Sequence, residues 1–160
     1  MEHVVFDPGS LRNAFGRFAT GVTVVTAGTA GGPLAITANS FSSVSLDPPL
    51  VLWSIGRHSR RFDAFASAAH YAIHVLAQDQ ADLCWRFSKS GSDFAGLDLA
   101  WNAHGVPLLP RALARFECSV ADRFPAGDHM ILLGRVLELE TQDGSPLLFA
   151  GGTSQAQGAG

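Results

Sequence analysis

The chain has 160 residues, 47% of them hydrophobic and 16% charged, with a net charge of −3. That length suits one domain, and a chain of about 150 residues buries roughly 70% of the surface its unfolded form exposes. The apolar content excludes a chain disordered over most of its length, no run nears the roughly 18 apolar residues of a membrane-spanning helix, and eleven basic against fourteen acidic residues leave no basic stripe for nucleic acid.

Residues 1–20 lack a basic-then-apolar export signal, so the protein is expected in the cytoplasm. Cys84 and Cys118 are far apart and match no metal-ligand spacing. They read as reduced, buried thiols, and no metal site is expected. Lys89 is the only lysine, so an anion site would rest mainly on arginine, backbone N–H groups and hydroxyls.

From the N-terminus, Ser10 reads as an N-cap for a helix carrying Leu11, Ala14, Phe15 and Phe18 at helical spacing, stopped at Gly21. Val22 to Ala27 predicts a strand, Gly28 to Gly32 a hairpin turn, and Pro33 to Leu46 a long hydroxyl-rich strand. Asp47-Pro48-Pro49 breaks that strand, since adjacent prolines cannot sit inside a ladder. Leu50 to Ile55 reads as a short strand. Ser59 is placed as the cap of a helix to about Ala68 with Phe62 and Phe65 on its apolar face. Tyr71 to Leu76 then predicts a strand, Gln78 to Phe87 a helix, and residues 88–111 a long loop. Arg115 to Phe124 and His129 to Gln142 predict two long strands joined by Pro125 to Asp128. The second is apolar on both faces, which demands cover on both sides. Pro146 to Ala150 predicts a last strand.

The expected organisation is a domain over residues 1–150 and a disordered tail over 151–160. Many strands with few helices favour an antiparallel barrel over a βαβ sheet. The glycine fingerprints of a dinucleotide-binding βαβ unit or a P-loop are absent from the sequence.

Three stretches can carry chemistry. In Thr37-Ala38-Asn39-Ser40-Phe41-Ser42-Ser43-Val44-Ser45, alternation places Thr37, Asn39, Phe41, Ser43 and Ser45 on one face. These residues read either as an edge strand with Ser/Thr cross-strand bonds or as small donors against which a planar, polar-edged ring can lie. Ser54 followed by Arg57-His58-Ser59-Arg60-Arg61 reads either as a capped basic turn or as a phosphate site without a P-loop. Gly127-Asp128-His129 puts an imidazole at a tight turn, either on the surface or beside a bound ring, where it could orient a ligand or move a proton. The other histidines read as structural or surface residues, and Trp53, Trp85 and Trp101 as packing residues.

In this order and spacing, these stretches resemble the flavin reductase family, the small reductase components of two-component flavin monooxygenases. The resemblance runs from about Leu11 to Phe149. It includes Phe18-Ala-Thr-Gly-Val-Thr-Val-Val-Thr26, Thr37 through Val51, Ser54 with Ser59, Phe87-Ser88, Gly127-Asp-His129 and Gly134-Arg-Val136.

The resemblance implies a mainly β fold, the antiparallel FMN-binding split barrel with a few short flanking helices, and a homodimer with the flavin near the subunit interface. It implies an NAD(P)H:flavin oxidoreductase with FAD or FMN and NADH (NADPH possible) as cofactors, passing free reduced flavin to a partner monooxygenase. Thr37, Ala38, Asn39 and Ser40 match the isoalloxazine-contacting segment, and Ser54, Ser59 and Arg60 positions around the ribityl chain and phosphate. Phe87, Ser88 and Lys89 begin the next flavin-contacting loop, and His129 matches the histidine that positions the nicotinamide. Hydride transfer of this kind needs positioning and N–H or hydroxyl donors toward the reduced ring, with no nucleophile or metal.

The chain departs from the family's pattern at His74, where Asn is common, and at Gly151-Gly152-Thr153, where Arg and Tyr are common. Two other readings remain: an oxidase or oxygenase of the same fold that retains its flavin, and a non-catalytic flavin- or haem-binding module. No ligand-spaced His or Cys pair supports haem.

Overall fold

The computed structural model describes residues 4–156, with side chains through Gly152. Its helices are α1 (Pro8–Gly16), α2 (Phe62–Ser67) and α3 (Ala81–Lys89), the last preceded by a 3-10 turn at Gln78–Gln80. The strands begin with β1 (Thr20–Gly21), β2 (Thr23–Thr29), β3 (Gly32–Ala38), β4 (Ser42–Leu46), β5 (Pro49–Gly56) and β6 (His70–Val75). They continue with β7 (Ala100–Trp101), β8 (Pro107–Leu108), β9 (Ala114–Ala126), β10 (His129–Thr141), β11 (Leu147–Ala150) and β12 (Thr153–Ala156).

Seven strands form one antiparallel sheet in the order β3-β2-β6-β9-β10-β5-β4. β3 and β4 are neighbours in sequence yet lie at opposite edges of that sheet. Residues 39–41 join them, so the sheet rolls up and its edges meet at a seam that no ladder closes. This is the expected split barrel. It also corrects the single strand expected from Pro33 to Leu46: the chain leaves the ladder after Ala38, and the alternation expected through Phe41 breaks there. Phe41 turns inward and stacks on Phe116 at 5.4 Å.

The core explains the roll. Trp53, Phe65, Tyr71, Ile73 and Leu132 are fully buried, with Trp53 edge-on to Phe65 and Tyr71 at 5.4 and 5.9 Å. Each such side chain contributes about 1.5–3 kcal/mol relative to exposure. A second cluster, including Val24, Leu83, Phe87, Leu109 and Leu147, lies where α3 packs on the sheet. Gly134 permits close packing between these strands: a Cβ there would stand 2.3 Å from the Tyr71 hydroxyl.

Other expectations shift by local chemistry. The cap of α1 is Asp7, whose carboxylate accepts from the Ser10 N–H at 2.9 Å, and Pro8 opens the helix. Ser59 does not cap α2 directly. Its hydroxyl accepts from the N–H of Arg61, the residue just before the helix start, at 3.2 Å. The loop at 88–111 is anchored by the β7–β8 pair and by Val106, Leu108 and Leu109, all buried. His74 is fully buried: Nδ1 bonds the Val24 carbonyl and Nε2 accepts from the Leu109 N–H, both at 3.0 Å. Burial pushes its pKa down to about 4, so it is a neutral core residue, as the sequence suggests. Within the expected tail, Thr153–Ala156 pairs with β11 as a strand, and residues 157–160 lie outside the described ones.

The doubly apolar character of β10 has a consequence in the single chain. Leu132 is buried, whereas Leu137, at the bulge between Val136 and Glu138, and Leu139, paired with Phe116, are 44% and 59% exposed. One chain leaves this far end of the strand uncovered.

Candidate functional site

Hydrogen bonds bring the three chemistry-bearing stretches together at the seam. Ser40 sits between β3 and β4, and its hydroxyl both accepts from the Ser54 N–H and donates to the Ser54 carbonyl, each at 3.0 Å. A side chain thus replaces the missing ladder rung. On β5, Ser54 stands opposite Ile131 and Gly56 opposite His129. Directly paired residues share a face, so Ser54 and His129 lie on the same outer face, behind which Trp53, Ile55 and Leu132 fill the core. Gly127 turns the chain into β10 at φ 61°, a conformation that suits glycine, and the Arg57 N–H donates to the Asp128 carbonyl at 2.9 Å. The turn bearing Ser59 and the turn bearing His129 are therefore pinned to each other.

Arg61 provides the other tie. Its guanidinium donates to the carbonyls of Ala35 (3.0 Å), Phe87 and Ser88 (3.2 Å), joining the start of α2 to β3 and to the end of α3. Carbonyls in the last turn of a helix lack intrahelical partners, and a cation there also faces the negative end of the dipole. Arg61 is structural, and burial lowers its pKa. Its neighbour Arg60 is exposed and, like Lys89, makes no hydrogen bond or ion pair among the described residues. Both border a cavity of about 320 Å³ with Ser59, Ser90, Gly91 and Ser92. Free cations beside hydroxyls suit a phosphate.

Next along the β3–α3 groove is a cleft of about 180 Å³, where Thr37, Asn39, Trp85, Ser88 and Phe149 meet. The hydroxyls expected to face a ring here are engaged: Thr37 and Ser88 both donate to the Cys84 carbonyl at 2.7 Å, fastening α3 over β3. The Asn39 side chain has no partner among the described residues and is exposed. Ala38 offers its backbone, whose carbonyl accepts from the Thr23 hydroxyl at 2.6 Å. Phe87 is 0% exposed and packs against Phe94 at 4.9 Å, so its ring belongs to the core and only its backbone reaches toward the groove. Trp53 and Trp85 differ from each other: Trp53 is a core residue as expected, whereas Trp85 is 47% exposed at this cleft. A large apolar residue on the polar side of a short helix is the signal that the sequence carried for it.

His129 is half exposed, and its Nδ1 lies 2.7 Å from the Asp128 carboxylate. Bonding to and charge on the imidazole hold the Asp128 carboxyl below its usual range. Nδ1 is thus engaged, and Nε2 makes no hydrogen bond among the described residues. The two thiols are unsuited to nucleophilic work: burial raises both, Cys118 to about 12. No cluster of three or more metal-ligating side chains occurs among the described residues.

A rolled antiparallel sheet, slit along one seam and lined there by an amide, free cations and an oriented imidazole, defines a small barrel suited to a phosphorylated planar ring. The residues present fit a flavin nucleotide by that chemistry. Residues 15–157 match the family described as flavin reductase like domain, and the chain belongs to that family. It is 55% identical over 156 residues to the FMN reductase (NADH) SmoA of Agrobacterium fabrum, covering 94% of this chain and 89% of that protein. It is 38% identical to the flavin-dependent monooxygenase reductase subunit HsaB of Rhodococcus jostii, covering 89% of this chain and 74% of that one. The solved structure of the Streptomyces globisporus NADH:FAD oxidoreductase SgcE6, in complex with NAD and FAD fragments, superposes with a TM-score of 0.88 at 35% identity, covering 98% of each chain.

Proposed function

We propose that the chain is an NADH-dependent flavin reductase that reduces FMN or FAD and passes the reduced flavin to a separate monooxygenase. The observation that carries this reading is the seam itself. Its internal bonds tie Asn39, Ser54, Arg60, Lys89 and His129 into one frame while leaving their side chains without partners among the described residues, apart from the Asp128 contact of His129. The names of its relatives, an FMN reductase using NADH and the reductase subunit of a monooxygenase, agree with it.

When bound, the flavin supplies the two-electron acceptor for a hydride from the nicotinamide. The chain's own residues bind and orient. Arg60 and Lys89 attract the phosphate, with the Ser59 turn supplying further donors. Asn39 and the backbone of residues 38–40 offer donors toward the polar edge of the ring, where negative charge grows on reduction. Asp128 fixes the His129 ring so that Nε2 is available to the nicotinamide carboxamide. Leu137 and Leu139 at the far end of β10, and Val44 and Leu46 of the edge strand β4, are apolar and exposed; we assign them to a second copy in a homodimer. No helix among the described residues is long and apolar enough to cross a membrane, and a cytoplasmic reductase fits this reading.

Purified protein tests it directly. NADH oxidation should require added FMN or FAD, and the reduced flavin should be oxidised by a flavin-free monooxygenase held across a dialysis membrane. A protein that purifies yellow and is inert to NADH refutes the reductase in favour of a retained-flavin enzyme or a binding module.

A further inference from the structure

The cleft between β3 and α3 is less polar than its residue types suggest. Thr37 and Ser88, two of its hydroxyls, donate to one acceptor, the Cys84 carbonyl. They fix where α3 lies and have no proton left for a ligand. What the cleft offers instead is the Asn39 amide and two aromatic side chains: Trp85, and Phe149 of β11. Trp85 precedes Ser88 by three residues, and such positions share a helix face. The helix therefore points the indole to the same side as the residue whose hydroxyl is tied down at the cleft.

The placement of Trp85 has no explanation in folding. Phe87 and Leu83 of the same helix are at most 4% exposed and supply its packing face, whereas Trp85 is 47% exposed and belongs to neither of the two large core clusters. It makes no ring contact or indole hydrogen bond among the described residues. A half-exposed indole beside a concave, partly apolar pocket is the usual form of an aromatic anchor for a planar ligand.

We infer that Trp85 is a flavin-contacting residue, its indole forming the aromatic wall against the isoalloxazine ring. This rests on the flavin-reductase reading and deepens it by dividing the site in two: Arg60 and Lys89 select the phosphate, and Trp85 selects the ring. An electron-rich indole favours the electron-poor oxidised ring over the reduced one, which suits a protein that must take up one form and let the other go.

The test is equilibrium binding of riboflavin, FMN and FAD to the parent, Trp85→Ala and Trp85→Phe, followed by flavin and indole fluorescence, with circular dichroism to establish folding. Trp85→Ala should weaken all three ligands about tenfold, the scale of one aromatic contact. Trp85→Phe should keep most of the affinity for all three ligands, because a phenyl ring still offers an aromatic face to the isoalloxazine. Parent binding with unchanged Kd for folded Trp85→Ala overturns the inference and leaves the reductase reading intact. Weakening confined to FAD overturns it in favour of an adenine contact. A parent that binds no flavin overturns both.

Discussion

Adjacent arginines with opposite duties give the sharpest prediction. Arg61 donates to three main-chain carbonyls, two of them at the end of α3, and joins three elements. Charged hydrogen bonds of this kind contribute about 1.5–3 kcal/mol each when isolated. Sharing one half-exposed guanidinium reduces the sum, so Arg61→Ala should cost about 2–4 kcal/mol. At roughly 3 °C per kcal/mol for this chain length, Tm falls by about 6–12 °C. Arg61→Lys keeps the charge but cannot fork to three acceptors, and should recover less than half of the loss. Arg60→Ala removes no internal bond, so Tm should stay within about 1 °C, while the loss of one exposed cation beside a phosphate weakens FMN about tenfold. Riboflavin, which has no phosphate, is the control: its affinity should not respond to Arg60. Thermal unfolding and fluorescence titration on the same preparations read both quantities. Should Arg60→Ala destabilise the fold while Arg61→Ala leaves it intact, the division of labour drawn here is wrong.

His74 makes stability depend on acid. Its folded pKa is pushed down to about 4 from 6.5, so the unfolded chain takes a proton first. Stability is complete above pH 6.5 and is lost as pH falls toward 4, by about 3 kcal/mol in all; urea unfolding at pH 7 and 4.5 should show it, and His74→Asn should flatten the slope. Gly134→Ala puts a methyl 2.3 Å from the Tyr71 hydroxyl and should cost about 1–3 kcal/mol, read as a lower urea midpoint at unchanged m. His129→Ala should raise KM for NADH several-fold with little change in flavin Kd, and Asp128→Asn, which loosens the ring without removing it, should show a smaller change in the same direction. Unchanged kinetics in His129→Ala would remove the nicotinamide role.

Legibility in the sequence followed the range of the forces involved. β9 and β10 were readable because a mixed polar and apolar stretch, Arg115 to Phe124, and an apolar one beginning at Met130 flank Pro125-Ala126-Gly127-Asp128, where Gly127 takes the positive φ that the turn requires. Phe62 and Phe65 packed as their helical spacing implies. The seam was not readable as such. Alternation sees Thr37 to Ser45 as one strand, and nothing local reveals that Ser40 bonds across to Ser54, fourteen residues away, so that the chain can leave one sheet edge for the other. The same limit hid which polar groups are free. Arg60 and Arg61 look alike in sequence, and only the position of α3 makes one a brace and the other a surface cation. Trp85 escaped for a related reason, since an aromatic residue in an apolar chain is more often core than wall.

The engaged hydroxyls bear on how such a site can work. Had Thr37, Ser40 and Ser88 all faced a ligand, binding would have to break or replace bonds that hold β3, β5 and α3 in register, and empty and filled proteins would differ in structure. Here those bonds are made within the chain, so the groove is preorganised. On the proposed reading the groups left for the ligand are few and exposed: one amide, two cations, one imidazole and one indole. A site of that kind holds its ligand through a small number of screened contacts rather than by enclosure. That favours rapid exchange, and a reductase whose product must leave before its partner can use it needs a frame that stays fixed while the flavin comes and goes.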